Sequence, residues 1–153
     1  MENHADMWSI TRAKLNMLHV AAQSDQVVSL FYFRQKGLDL DSVDEQGNTS
    51  LHWALHERSE IALSYILAWK PNIDIRDFSG FTPLHIAVKS VEEMETIRLV
   101  RFMTLKGADR SIRDNNGLRP IDMVDSNLKT TNSIKRDLKK LLGPPGTFDF
   151  MQL

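Results

Sequence analysis

The chain has no cysteine. Disulfides, thiolate zinc sites and cysteine nucleophiles are therefore excluded. No apolar run approaches the roughly 20 residues of a membrane-spanning helix. There is no glycine-rich phosphate loop, no nucleophile elbow and no carboxylate pattern suggesting a catalytic dyad. Residues such as Asp41 and Asp44 read first as turn residues. The opening Met1-Glu2-Asn3-His4-Ala5-Asp6 is polar and acidic, unlike a secretory or mitochondrial leader, so a cytoplasmic setting is expected.

What is present is ordinary in amount and unusual in order. The 153 residues suit one domain, and 42% hydrophobic with 25% charged residues is normal for a soluble globular chain. One phrase is written four times. Asn16-Met17-Leu18-His19-Val20-Ala21 recurs as Thr49-Ser50-Leu51-His52-Trp53-Ala54. It returns as Thr82-Pro83-Leu84-His85-Ile86-Ala87, and last as Arg119-Pro120-Ile121-Asp122-Met123-Val124. His19, His52 and His85 are 33 residues apart, and Asp122 follows His85 by 37.

The third copy shows how a unit is built. Asp77-Phe78-Ser79-Gly80 reads as a turn, with Gly80 free to adopt positive φ. Thr82 is placed to cap the next helix, and Pro83 falls at its first position, where a missing N–H costs nothing. Leu84, Ile86, Ala87 and Val88 supply an apolar side. A second helix runs through Ile97, Val100, Phe102, Met103 and Leu105 and stops at Gly107.

A period of 33 carrying Thr-Pro-Leu-His-x-Ala resembles the ankyrin-repeat family. The resemblance covers about residues 7–142. It implies an all-α solenoid of four stacked helix–turn–helix units, each with a projecting β-turn finger. The expected units are about 7–38, 39–71, 72–108 and 109–142, followed by a Gly/Pro exit and apolar tail over 143–153. The resemblance also implies that His19, His52 and His85 bridge repeats as buried structural histidines. End units are expected to be atypical because one face lacks a neighbour. Accordingly, Thr11 to Lys14 replace the first finger, and Arg119 and Asp122 replace Thr and His in the fourth unit. In unit two, Lys70-Pro71-Asn72 stands for Gly-Ala-Asp, so its second helix must end before Pro71. Four extra residues lie around Ser90–Glu95, and they are expected to lengthen the inter-helix loop or the second helix.

Such a solenoid presents an extended binding surface rather than a deep pocket, which points to a protein or peptide partner and not to an enzyme. No cofactor is called for. On ankyrin folds the exposed positions are finger tips and the concave side of the inner helices. Carried onto this chain, the partner-binding candidates are Glu45, Gln46 and Asn48; Phe78, Ser79 and Phe81; Asn115, Asn116 and Leu118; and, on the concave side, His56, Glu57 and Lys89. Phe78 and Phe81 are either interface anchors or packing between neighbouring fingers. His52 and His56 share a metal-compatible spacing, but His52 is the repeat histidine and no third ligand accompanies them, so no metal site is expected. Asn48-Thr49-Ser50 matches a glycosylation pattern, yet Thr49 is wanted as a helix cap.

Charge is segregated. Residues 1–97 carry 8 Lys or Arg against 14 Asp or Glu, whereas residues 98–140 carry 11 against 5. The basic segment is compatible with an anionic membrane surface or an acidic partner. Arg98, Arg101, Lys106, Arg110 and Arg113 are not interleaved with stacking aromatics, which argues against nucleic acid.

A narrower resemblance rests on Lys106-Gly107-Ala108-Asp109-Arg110-Ser111-Ile112-Arg113-Asp114-Asn115-Asn116-Gly117, then Arg119-Pro120-Ile121-Asp122, the Gly143-Pro144-Pro145-Gly146 exit, and Leu63-Ser64-Tyr65-Ile66-Leu67-Ala68-Trp69. These look like parts of the ankyrin region of DHHC-type palmitoyltransferases. In that family this cytosolic region recruits substrates ahead of a membrane-embedded catalytic domain. The chain then reads as a substrate-recruiting fragment, near the membrane. A structural subunit of a large assembly is the remaining alternative.

Overall fold

In the computed structural model the described residues are 15–126 and 128–144. Among them are eight helices and no strand. They run α1 (Met17–Gln23), α2 (Val27–Gln35), α3 (Ser50–His56), α4 (Glu60–Ala68), α5 (Pro83–Met94), α6 (Arg98–Leu105), α7 (Pro120–Ser126) and α8 (Asn132–Leu142). The odd-numbered helices pack on one another in sequence and form an inner layer. The even-numbered helices lie outside them, each against its own inner partner. The segment expected to replace the first finger and the tail from residue 145 lie outside the described residues.

Each inner helix begins with the same device. The side chains of Asn16, Thr49 and Thr82 accept the backbone N–H of His19, His52 and His85. In return, each histidine Nδ1 accepts the cap residue's own N–H, at 3.0, 3.1 and 3.2 Å. This is a capping box with histidine where Glu or Gln is usual. Because Nδ1 accepts, Nε2 carries the proton and donates. It reaches the next unit, to the carbonyls of Ser42 (2.9 Å), Phe81 (3.2 Å) and Leu118 (3.0 Å). One side chain thus starts its own helix and holds the following repeat. All three rings are at most 1% exposed, and burial first of all holds their pKa below the ordinary value.

In the fourth unit a carboxylate takes over. Asp122 Oδ2 accepts the Arg119 backbone N–H at 2.9 Å and Nε at 3.0 Å, and Oδ1 accepts Nη2 at 2.9 Å. The Arg119 side-chain hydrogen bonds lead the causes that lower the Asp122 pKa to about 2.

The core is aliphatic: Leu18, Leu51, Leu84, Ala54 and Ala87 on inner helices meet Leu30, Leu63, Ile66 and Val100 on outer ones. The small alanines at the phrase's last position, Ala21, Ala54 and Ala87, let the helices approach. The four extra residues of unit three lengthen neither the loop nor the second helix. The connections α1–α2, α3–α4 and α5–α6 are each three residues long, while α5 has 12 residues against 7 for α1, α3 and α7. The insertion adds a turn to the inner helix because Val91 continues its apolar side into the core, where it is 0% exposed.

The candidate partner-binding face

The fingers are braced by aspartate. Asp44, Asp77 and Asp114 each accept two backbone N–H groups at Oδ1, from residues two and four positions on, at 2.8–2.9 Å. Each also closes the turn through its backbone, as Asp77 N–H does to the Phe81 carbonyl at 2.9 Å. Asp44 Oδ2 additionally accepts Trp53 Nε1–H at 2.8 Å, tying a finger to the helix beside it. The aspartates carry the fingers, and their spacing of 33 and 37 residues is legible in the chain.

Neighbouring fingers are joined directly. Phe78 N–H donates to the Gln46 carbonyl at 2.9 Å, and Asn115 N–H to that of Ser79 at 3.1 Å. Asn115 Nδ2 donates to the Phe78 carbonyl at 2.7 Å, while its Oδ1 accepts from Arg76 Nη2 at 3.1 Å. The contact requires glycine. Gly47 and Gly80 both sit at φ +83°. A Cβ on Gly47 would lie 2.8 Å from the Phe78 ring, and one on Gly80 would lie 2.5 Å from the Asn115 nitrogen.

The candidate residues therefore divide. Glu45, Gln46, Phe78, Ser79, Asn115 and Asn116 are exposed along the finger row. Phe78 is 70% exposed although one edge of its ring lies against Gly47 of the neighbouring finger. Asn48 points inward at 8% exposure, and its buried Oδ1 has no hydrogen-bond partner among the described residues. Leu118 is half-buried and gives its carbonyl to His85.

His56, Phe81 and Lys89 come together on the concave side, around a cleft of about 680 Å³. Glu57 is exposed beside it. Leu55, Ile86, Met123 and Leu128 give the cleft an apolar base. Lys89 Nζ stands 4.9 Å from the Phe81 ring centroid, a cation–π pair at the mouth. Desolvation first, then Lys89, holds the His56 pKa below its ordinary value. The added turn of α5 contributes Glu92 and Glu93, and Glu93 pairs with Arg58 across the cleft. Arg58, Glu92, Glu93, Met123 and Leu128 were absent from the sequence-derived set. The four-residue excess is the only signal for Glu92 and Glu93, and its placement on α5 is a tertiary fact, while Arg58, Met123 and Leu128 have no signal in the chain.

His52 does not face this cleft as a ligand, since both of its ring nitrogens are engaged in the cap and the inter-repeat bond. Among the described residues no helix is long and apolar enough to cross a membrane.

Residues 18–114 match the family described as ankyrin repeats, in three copies. The chain belongs to the ankyrin-repeat family. It is similar to Palmitoyltransferase AKR1 of Lachancea kluyveri, 33% identical over 90 residues, which is 56% of this chain and 12% of that protein. The same enzyme of Candida glabrata is 25% identical over 129 residues, 81% of this chain and 16% of the relative. Protein phosphatase 1 regulatory subunit 27 of Mus musculus is 28% identical over 98 residues, 64% of this chain and 61% of the relative. The ankyrin chain thus spans a small part of the palmitoyltransferases and under two thirds of the regulatory subunit.

Proposed function

We propose that this ankyrin domain is a protein-interaction module that holds a peptide or a protein surface along its finger tips and concave cleft. The observation that carries this reading is the meeting of His56, Phe81 and Lys89 around an apolar-based cleft, next to an exposed finger row led by Phe78. Apolar depth with a polar rim is the anatomy of an interface, and an exposed aromatic supplies an anchor. The test is capture with the intact domain, compared with a Phe78→Ala, Lys89→Glu variant of equal melting temperature. The reading predicts partners retained by the first and lost by the second.

The likeness to palmitoyltransferases supports a second reading, in which the domain is the substrate-recruiting ankyrin region of a membrane DHHC-type palmitoyltransferase. The segregated basic charge then lies toward an anionic membrane surface, through Lys129, Lys135, Arg136, Lys139 and Lys140. Lys139 is already paired with Asp125 at 2.8 Å, so the other four are the freer cations. Each basic residue near an anionic leaflet is worth roughly 1 kcal/mol. Reversing Lys135, Arg136 and Lys140 to Glu then abolishes sedimentation with phosphatidylserine vesicles at low salt. Absence of any sedimentation by the unmutated domain contradicts the membrane arm alone.

A further inference from the structure

The outer helices carry a stripe that the concave reading does not use. Tyr32, Tyr65 and Phe102 occupy the same place in successive units, on α2, α4 and α6. Four residues after each stand Lys36, Trp69 and Lys106. All three pairs are in contact. Lys36 Nζ lies 5.5 Å from the Tyr32 ring centroid, the Tyr65 and Trp69 rings are 6.4 Å apart, and Lys106 Nζ lies 5.7 Å from the Phe102 centroid. Phe31 thickens the middle, its ring 6.1 Å from that of Trp69. Phe31, Tyr32 and Tyr65 remain 44–49% exposed.

The helix ends are held level. Asp41 Oδ1 accepts Asn72 N–H at 3.0 Å, and Asp74 Oδ1 accepts Asp109 N–H at 2.9 Å, tying each inter-unit loop to the next. The stripe has an aromatic centre, with Lys36 and Lys106 at its two ends and Lys70 exposed beside Trp69. Neither Lys36 nor Lys106 forms an ion pair among the described residues.

The geometry points to a docking face on the outer layer for an amphipathic helix of a protein partner, with apolar side chains over Trp69 and a carboxylate reaching each lysine. The inner helices α1, α3 and α5 pack in sequence and packed helices lie about 8–10 Å apart, so two unit steps separate the lysines by roughly 16–20 Å. At 1.5 Å per residue a partner helix spans this in about 11–13 residues. An anionic bilayer fits less well. Residues 1–97, which hold two of the three pairs, carry six more acidic than basic residues, and that surplus repels a sheet of headgroups while leaving a local carboxylate–lysine match intact. A second copy of the chain in two-fold pairing would set lysine against lysine.

The test uses synthetic helical peptides of about 18 residues with a leucine centre, titrated against the intact domain. One has two glutamates 11 residues apart on the leucine face, a second has them 4 apart on that face, and a third has lysines in place of the glutamates. The matched peptide is expected to bind about tenfold tighter than either control, and Lys36→Glu with Lys106→Glu should reverse its preference toward the lysine peptide. Trp69→Ala should weaken all three, while Asp137→Ala, exposed on α8, leaves them unchanged. Equal binding of the three peptides overturns the proposal. So does vesicle binding that the Lys36→Glu, Lys106→Glu pair abolishes, which assigns the stripe to lipid. A dimer that the same pair dissociates assigns it to self-association and also overturns it. The concave variant Phe78→Ala, Lys89→Glu tests the other surface separately, so the two readings can fail independently.

Discussion

His52 joins two repeats through one neutral ring: its Nδ1 accepts Thr49 N–H at 3.1 Å, and its Nε2–H donates to the Phe81 carbonyl at 3.2 Å. His19 and His85 do the same for their own neighbours. A proton added at Nδ1 removes the acceptor that the cap needs, so the stack should be sensitive to acid.

The sign follows from the lowered pKa values. A histidine whose folded pKa lies below its unfolded value near 6.5 binds fewer protons when folded. Its contribution is complete above about pH 6.5 and is lost as pH falls toward the folded pKa. The melting temperature should therefore fall steadily below about pH 6.5, well above the range of the carboxylates. His52→Gln should lower stability at neutral pH and flatten this dependence. Thermal melts from pH 8 to 5 check it, and a wild-type melting temperature constant across that range contradicts it.

Leu51 and Leu84 are 1% and 0% exposed in inner helices flanked on both sides. Truncating either to Ala should destabilise by about 2–5 kcal/mol, as buried leucine truncations do. Urea melts measure it, and a loss below about half a kilocalorie would contradict the burial and helix register of these side chains, because the transfer cost remains even where the cavity closes.

The glycines separate strain from contact. Gly37 and Gly80 both have positive φ, but a Cβ on Gly37 meets nothing within 4 Å, whereas one on Gly80 meets the Asn115 backbone at 2.5 Å. Gly37→Ala should cost about 1–2 kcal/mol from backbone conformation alone. Gly80→Ala should cost distinctly more, because backbone must move. Equal losses in denaturant would show that the fingers are not locked to one another.

The repeat was legible because each residue of Thr-Pro-Leu-His-x-Ala has one local task. Thr82 caps, Pro83 starts the helix, Leu84 and Ala87 pack, and all of these recur at fixed spacing. The braces Asp77 and Gly80 were readable for the same reason. The added turn of α5 was not, since an excess of four residues fits a loop or either helix until Val91 is seen in the core. Asn48 and Leu118 read as finger residues, yet one is buried and the other half-buried, because the neighbouring unit covers them. Of the outer stripe only the i, i+4 pairs such as Tyr32 and Lys36 stand in the chain, whereas the contact of Phe31 with Trp69 joins different repeats.

The two finger phenylalanines should part in their effects. Phe78 is 70% exposed, so Phe78→Ala should change stability by less than about 1 kcal/mol while weakening the partner. Phe81 is half-buried, 5.8 Å ring-to-ring from His85, and Phe81→Ala should lower the melting temperature as well as affinity. Melts and binding isotherms on the two single variants decide this. A larger stability loss for Phe78→Ala than for Phe81→Ala contradicts it.

A partner held on the fingers and the concave cleft should slow backbone hydrogen exchange there. Exchange measured on the domain alone and with its captured partner should show new protection at residues 45–47, 78–81 and 89–93, all of it lost in the Phe78→Ala, Lys89→Glu variant. Unchanged exchange across those three segments in a saturated complex would contradict it.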